Sequence, residues 1–313
     1  MTTTPNTILL IGGGANASYL GARLNEGGHE VAFLTGERRC KNLSEQGLVI
    51  KSPFGRFQRD VALVRPDQIK VPPKTVVLAC RAHNLDDALK SAALASSANT
   101  AIVTMIDGVT HLARVQTHLS ENPIVAGVVE GRLALDADAV VTHRGTHVQV
   151  RLGALGKAAT PLVPAPVKTL SGRGIVFQAS RCIRTDARGR FVFLGSGIAV
   201  STLFGLPLTD LVRFEPMRRT LQYLRQEAAG VAFAVGVPIP RAVQEGYRHA
   251  PFMASEPVAA PPMVTDPGGS GEEAEYLLRQ LLCFAKSGGA EASLLTAAVQ
   301  KLDTTATPRT HRG

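Results

Sequence analysis

Short apolar runs alternate with amphipathic stretches through the first half of the chain. Thr7-Ile-Leu-Leu-Ile11 predicts a strand, Ser18–Asn25 a helix and Glu30–Leu34 a second strand. A helical piece near Cys40–Gln46 is followed by a hairpin-like region, Gly47–Lys51 and Gly55–Val61. Thr75–Cys80, Thr100–Met105 and Ile124–Val129 are continuous apolar runs of the kind buried on both faces of a parallel sheet. Helices are expected at Asn84–Ala95 and from about Thr110 to Leu119. Val140–Thr142 and Val148–Leu152 read as a closing antiparallel pair. Gly156–Pro166 reads as a surface connection, Val167–Gly172 as helical and Ile175–Gln178 as a short strand. From about Arg184 the pattern turns helical, with long helices at Phe191–Phe204, Thr209–Val235, Glu272–Lys286 and Ala290–Leu302. Ser255–Gly271, rich in Pro, Gly and Ala, is a long loop, and Asp303–Gly313 is a fraying tail.

Between the first strand and the first helix lies Gly12-Gly13-Gly14-Ala15-Asn16-Ala17. Gly12 allows a tight turn and Gly14 a close approach of the main chain to a pyrophosphate. Ala17 lets helix and strand pack closely, and the helix N-terminus turns its free N–H groups and positive dipole end toward phosphate. In this strand–turn–helix context the pattern predicts dinucleotide binding. The expected fold is α/β: a Rossmann-like dinucleotide-binding domain over residues 1–182, then an all-α domain over residues 183–313. Enzymes so built hold the substrate in the cleft between the domains.

Composition narrows the class. Apolar content of 45% and charged content of 19% suit a globular enzyme, and 313 residues suit two domains. No run of eighteen apolar residues occurs, so no membrane span is expected. Met-Thr-Thr-Thr-Pro-Asn is not a signal-peptide start, and Cys40, Cys80, Cys182 and Cys283 lie far apart like reduced cytoplasmic thiols. The net charge of +9 is spread over the chain and aromatics make up only 5%, so no nucleic-acid partner is expected. His143 and His147, four apart around Gly145, read as surface residues, and no metal site is expected. Ser196, in Gly195-Ser-Gly197, has helical flanks and is no nucleophile elbow. Ser18 and Tyr19 read as packing or phosphate contacts.

The second strand ends Phe33-Leu-Thr-Gly-Glu-Arg-Arg39. Glu37 stands where an NAD-type acid holds ribose hydroxyls. Arg38 and Arg39 follow it, and the small Thr35–Gly36 pair leaves room for a phosphate, so the balance favours NADP (NADPH).

Six segments, in order, resemble the ketopantoate reductases (2-dehydropantoate 2-reductases): IGGGANASYLGARLNEGGHEVAFL, VVLACRAHNLDDAL, TMIDGV, GRFVFLGSGIAVSTL, APFMAS and EEAEYLLRQLLCFAKSGGAEAS. The resemblance spans nearly the whole chain. It implies reduction of a small-molecule carbonyl compound by a nicotinamide cofactor and a helical domain that can form a homodimer. Leu203–Leu206 and Leu277–Leu282 offer apolar stripes for that contact. The resemblance makes Arg81 a cofactor contact and Asp107 a contact for nicotinamide and substrate. It makes Arg190 the residue at the position of the family's catalytic lysine. Alignment from Met253 would put Val264 at the substrate-binding glutamate, but alignment from Gly288-Gly289 gives Glu273, and this is preferred because an insertion fits the Pro/Gly loop better than a helix.

Departures from the family's pattern concentrate at these positions. Arginine replaces lysine at Arg81 and Arg190, and Asp107 stands for asparagine. Arg188 replaces an aromatic, Leu194 and Ile198 replace asparagines, and Phe252 replaces a serine. Arginine, with a pKa above about 12, cannot donate the proton that a buried lysine supplies. It can stabilise an oxyanion through its charge and forked N–H donors. Water or another acid must then protonate the product. The Asp107 carboxyl can do so only if burial raises its pKa; ionised, it pairs with Arg81 or Arg190. Leu194 and Ile198 either make the substrate wall apolar or are plain core positions. The expected substrate is a ketone, imine or enone other than ketopantoate, and the alternative is a nucleotide-binding protein without redox activity.

Overall fold

The computed structural model describes residues 3–164, 174–206, 211, 213–248 and 270–305. The chain divides into two compact units, Met1–Ala187 and Arg188–Gly313.

A single sheet organises the first unit. Its strands are β1 (Ile8–Ile11), β2 (Val31–Leu34), β3 (Leu48–Ser52), β4 (Gly55–Arg59), β5 (Ala62–Leu63), β6 (Thr75–Leu78), β7 (Ala101–Thr104), β8 (Ile124–Leu135), β9 (Val141–Ala154) and β10 (Ile175–Ala179). Helices α1 (Ala15–Glu26), α2 (Glu37–Gln46), α3 (Leu85–Ala95) and α4 (Thr110–His118) connect them. The spatial order is β4-β3-β9-β8-β7-β6-β1-β2-β5, with β10 beside β9. From β5 through β8 the strands run parallel, joined mainly by helical crossovers, while β8 and β9 form a long antiparallel pair. Leu9, Leu10, Val76 and Leu78 are fully buried, as strands covered on both faces require. Gly21 sets the closeness of α1: a Cβ there would meet the Phe33 ring at 2.4 Å and Leu10 at 2.7 Å.

Two expectations change in this unit. Val140–Thr142 and Val148–Leu152 do not pair with each other. Val141, Thr142 and Val148–Leu152 all belong to β9, whose antiparallel partner is β8. Gly145, with φ of 96°, lies where the register shifts: β8 passes from Glu130 to Arg132 through Gly131 alone, while β9 passes from Arg144 to Gln149 through Gly145–Val148. A bulge of this kind bends a strand without ending it. The second helix starts at Glu37 rather than near Cys40, so Arg38 and Arg39 lie in its first turn. Glu37 there complements the positive end of the helix dipole. The expected helix at Val167–Gly172 and most of the Ser255–Gly271 loop lie outside the described residues.

Helix α5 (Ile183–Phe204) begins eight residues before Phe191. Ile183 and Ala187, four apart, pack against Leu112, Ala126 and Val128. Ser180 Oγ donates to Asp186 Oδ2 at 2.5 Å. The second unit continues with α6 (Glu215–Ala234), α7 (Arg241–Arg248), α8 (Ser270–Gly288) and α9 (Ser293–Thr305). Helices α6, α8 and α9 pack on one another around Leu221, Leu224, Val231, Leu277, Leu281, Leu295 and Ala298, all buried. Glu227 joins α6 to α9 by accepting the N–H groups of Leu294 and Leu295 at 3.1 and 2.8 Å. These are orphan donors of a helix start, and a carboxylate suits them.

Candidate functional site

The parallel strands β1, β6 and β7 end in register, Ile11 beside Leu78 and Leu78 beside Thr104. The next residues of each strand therefore emerge at one edge of the sheet: Gly12–Ala17 after β1, Arg81 after β6 and Asp107 after β7. The chain leaves β1 for β2 on one side and later returns to β6 on the other. Such a switch in direction opens a crevice at the carboxyl ends of the strands, where open α/β sheets bind ligands.

The three glycines of the loop have different reasons to be glycine. Gly12 has φ of 130°, and a Cβ there would lie 2.4 Å from the Ala79 carbonyl oxygen; the fold itself requires it. At Gly13 a Cβ would lie 2.5 Å from both Arg39 Cγ and Thr35 Oγ1. Gly14, at the N-cap of α1 with φ of −70°, has no atom within 4 Å of that position. Neither backbone angle nor packing demands glycine there. No side chain caps α1, and its first turn carries no acidic residue. Ala17 is fully buried. An uncapped helix start beside open space fits the pyrophosphate of a dinucleotide.

Arg38 and Arg39, adjacent in sequence, have separate environments. Arg38 is exposed. Arg39 turns inward: Nη2 donates to Ser18 Oγ at 2.9 Å, and Nη1 donates to the Ala139 carbonyl at 2.8 Å. Ser18 Oγ in turn donates to the Gly13 carbonyl at 3.3 Å. Burial lowers the Arg39 pKa to about 10, with Asp136 opposing the shift. Ala139, in the β8–β9 turn, has φ of 61°, a backbone state that costs a residue with a Cβ about 1–2 kcal/mol.

Arg81 is half-buried at the N-cap of a 3-10 turn, Ala82–Asn84. Asp107 is half-buried too, and the buried Gly108 that follows it has φ of 108°. Arg190 is half-buried on α5. Leu194 and Ile198, one and two turns further on, are 3% and 0% exposed, which makes them core positions. Glu273 is buried in the first turn of α8. The first unit thus brings Gly12–Ala17, Arg81 and Asp107 to one sheet edge, while Arg190 and Glu273 belong to the second. Phe252 and Val264 lie outside the described residues.

Two polar groupings were not evident from the sequence. His143 is buried, not on the surface: Nδ1 lies 3.0 Å from both Tyr19 Oη and Ser52 Oγ, and Tyr19 also donates to the Gly174 carbonyl at 3.0 Å. His143 Nε2 is buried with no partner among the described residues. Burial, then Arg23 and His147, lower its pKa to about 4. Strand alternation was the available signal, because Val141 and His143 share one face. In the second grouping, Arg151 joins Glu130 at 2.7 Å and Asp186 at 3.7 Å, linking β8, β9 and the first turn of α5. His111 is buried as well, which lowers its pKa to about 4. Among the described residues no group of three or more His, Cys, Asp or Glu could hold a metal ion, and no helix is long and apolar enough to cross a membrane.

Residues 8–157 match the family model described as "Ketopantoate reductase PanE/ApbA". An "Uncharacterized oxidoreductase YkpB" of Bacillus subtilis (strain 168) is 25% identical over 237 residues, 76% of this chain and 78% of that protein. Among solved structures, the 2-dehydropantoate 2-reductase of Methylococcus capsulatus has a TM-score of 0.78 at 21% identity, covering 96% of this chain and 99% of its own. A D-mandelate dehydrogenase solved with NADH and anilino(oxo)acetate has a TM-score of 0.81 at 18% identity, covering 95% and 99%. At these identities the structures establish the fold: a Rossmann-like domain followed by a helical region.

Proposed function

We propose, from the premise that this chain carries a domain of the ketopantoate reductase PanE/ApbA family and is an oxidoreductase of that type, that it is an NADPH-dependent reductase of a ketone, imine or enone other than ketopantoate. The observation that carries the cofactor half of this reading is Gly14. It is a glycine that neither backbone nor packing requires, at an uncapped helix start on the carboxyl edge of the sheet. When bound, the nicotinamide supplies the hydride. The N–H groups at the start of α1 hold the pyrophosphate, and the exposed Arg38 meets the 2′-phosphate. Arg81 and Asp107 border the same edge.

The departures from ketopantoate rest on side chains. Arg190 stabilises negative charge developing on the carbonyl oxygen with fixed N–H donors, and the proton comes from water, since a guanidinium does not release one near neutral pH. Glu273 contacts the substrate. The protein works as a homodimer in the cytoplasm; of the two apolar stripes, Leu277, Leu278 and Leu281 are buried, whereas Phe204 and Leu206 are exposed and offer that contact.

A second reading keeps nucleotide binding without reduction, and arginine at both Arg81 and Arg190 favours it. Titration with NADPH and NADH, followed by nicotinamide fluorescence, tests the cofactor assignment. A panel of carbonyl and imine substrates with NADPH separates the readings: consumption of NADPH with any of them supports the reductase, and none with all of them supports the second.

A further inference from the structure

We infer that Arg39 is a positioning residue of the dinucleotide loop and serves NADH and NADPH alike, leaving the choice between them to its neighbour Arg38. This rests on the cofactor reading above and deepens it. Three contacts converge on Arg39. Its stem lies against Gly13, where a Cβ would come within 2.5 Å of Cγ. One end of its guanidinium donates to Ser18, whose hydroxyl donates to the Gly13 carbonyl. The other end donates to the carbonyl of Ala139, which the β8–β9 turn presents from a left-handed backbone.

The loop, the first turn of α1 and the far hairpin turn are thus held by one side chain. Glycines at three successive positions leave the loop with little stiffness of its own, so its shape depends on such an external tie. What Arg39 holds is the backbone that faces the pyrophosphate, the part common to both cofactors. Both ends of its guanidinium, Nη1 and Nη2, donate to groups of the protein itself, Ala139 and Ser18. Arg38, one residue earlier, is exposed and can reach a ligand.

The experiment measures dissociation constants for NADH and NADPH on wild type, Arg38→Ala, Arg39→Ala, Arg39→Lys, Ser18→Ala and the Ser18→Ala/Arg39→Ala pair, with melting temperatures alongside. Arg39→Ala should weaken both cofactors by the same factor, fivefold or more. Arg39→Lys should recover part of each loss, because an ammonium keeps the charge but does not span both acceptors. Ser18→Ala should give a smaller equal loss, and the pair should be no worse than Arg39→Ala alone, since both changes cut one tie. Arg38→Ala should weaken NADPH only. If Arg39→Ala does not fold, Ser18→Ala carries the test. A loss confined to NADPH in Arg39→Ala or Ser18→Ala, or no loss for either cofactor, overturns the inference. Wild type binding neither cofactor overturns the cofactor reading itself, a separable result.

Discussion

Gly12 and Gly14 are two residues apart, yet the fold requires glycine at one and not at the other. Gly12 is forced by its positive φ and by the Ala79 carbonyl 2.4 Å from where a side chain would begin. Gly14 has an ordinary backbone and open space. The same contrast recurs in the second unit between Ile198, sealed in the core, and Arg190, half-buried on the same helix. A motif or an alignment treats such pairs as equal members of one site. Geometry separates what the fold needs from what a ligand needs.

The contrast can be broken most forcefully at Gly12. Gly12→Ala should destabilise the first unit by more than about 4 kcal/mol, since a backbone carbonyl cannot yield as a flexible side chain would. A urea midpoint within error of wild type would contradict this. Ile198→Asn, which restores a polar residue of the family's pattern, should cost about 3–4 kcal/mol. It removes buried apolar contacts and leaves an amide without assured partners. If Ile198 instead faced a substrate pocket, the change would be nearly neutral in urea denaturation.

A smaller loss comes with acid. His143 and His111 are buried neutral, with pKa values lowered to about 4 against about 6.5 in an unfolded chain. The unfolded state therefore binds more protons between these values. Stability is complete above pH 6.5 and falls as pH drops toward 4, by about 3 kcal/mol for each histidine if the whole shift is expressed. Urea midpoints between pH 7 and 4.5 should show the decline, and His143→Gln should remove roughly half of its slope. A flat profile across that range would refute the burial of both rings. The smallest expected effect is Gly14→Ala, which should change stability by no more than about 0.5 kcal/mol.

How far the sequence could be read follows the same division. Backbone features were legible. The glycine loop between strand and helix, the buried parallel strands and the helical second half all follow from spacing and periodicity, and the residues at the carboxyl edge follow from strand ends. Features set by contacts between distant segments were not. Gly145 interrupts the strand pattern, and local pattern cannot see β8, which pairs with β9 on both sides of it. Arg39 looked equivalent to Arg38 because its partners, Ser18 and Ala139, lie 21 and 100 residues away. The first eight residues of α5 carry charges that hide a helix, but Ile183 and Ala187 bury one face of it. Leu194 and Ile198 were open to two readings, and only burial decides that they are core.

Whether the glycine loop holds a nicotinamide dinucleotide is decided by comparing wild type with Gly14→Ala by fluorescence titration and thermal melting. Wild type should bind NADPH more tightly than NADH, and Gly14→Ala should melt with wild type yet lose binding to both by tenfold or more. A wild-type protein that binds neither cofactor, or a Gly14→Ala protein that binds as wild type does, would contradict the cofactor reading.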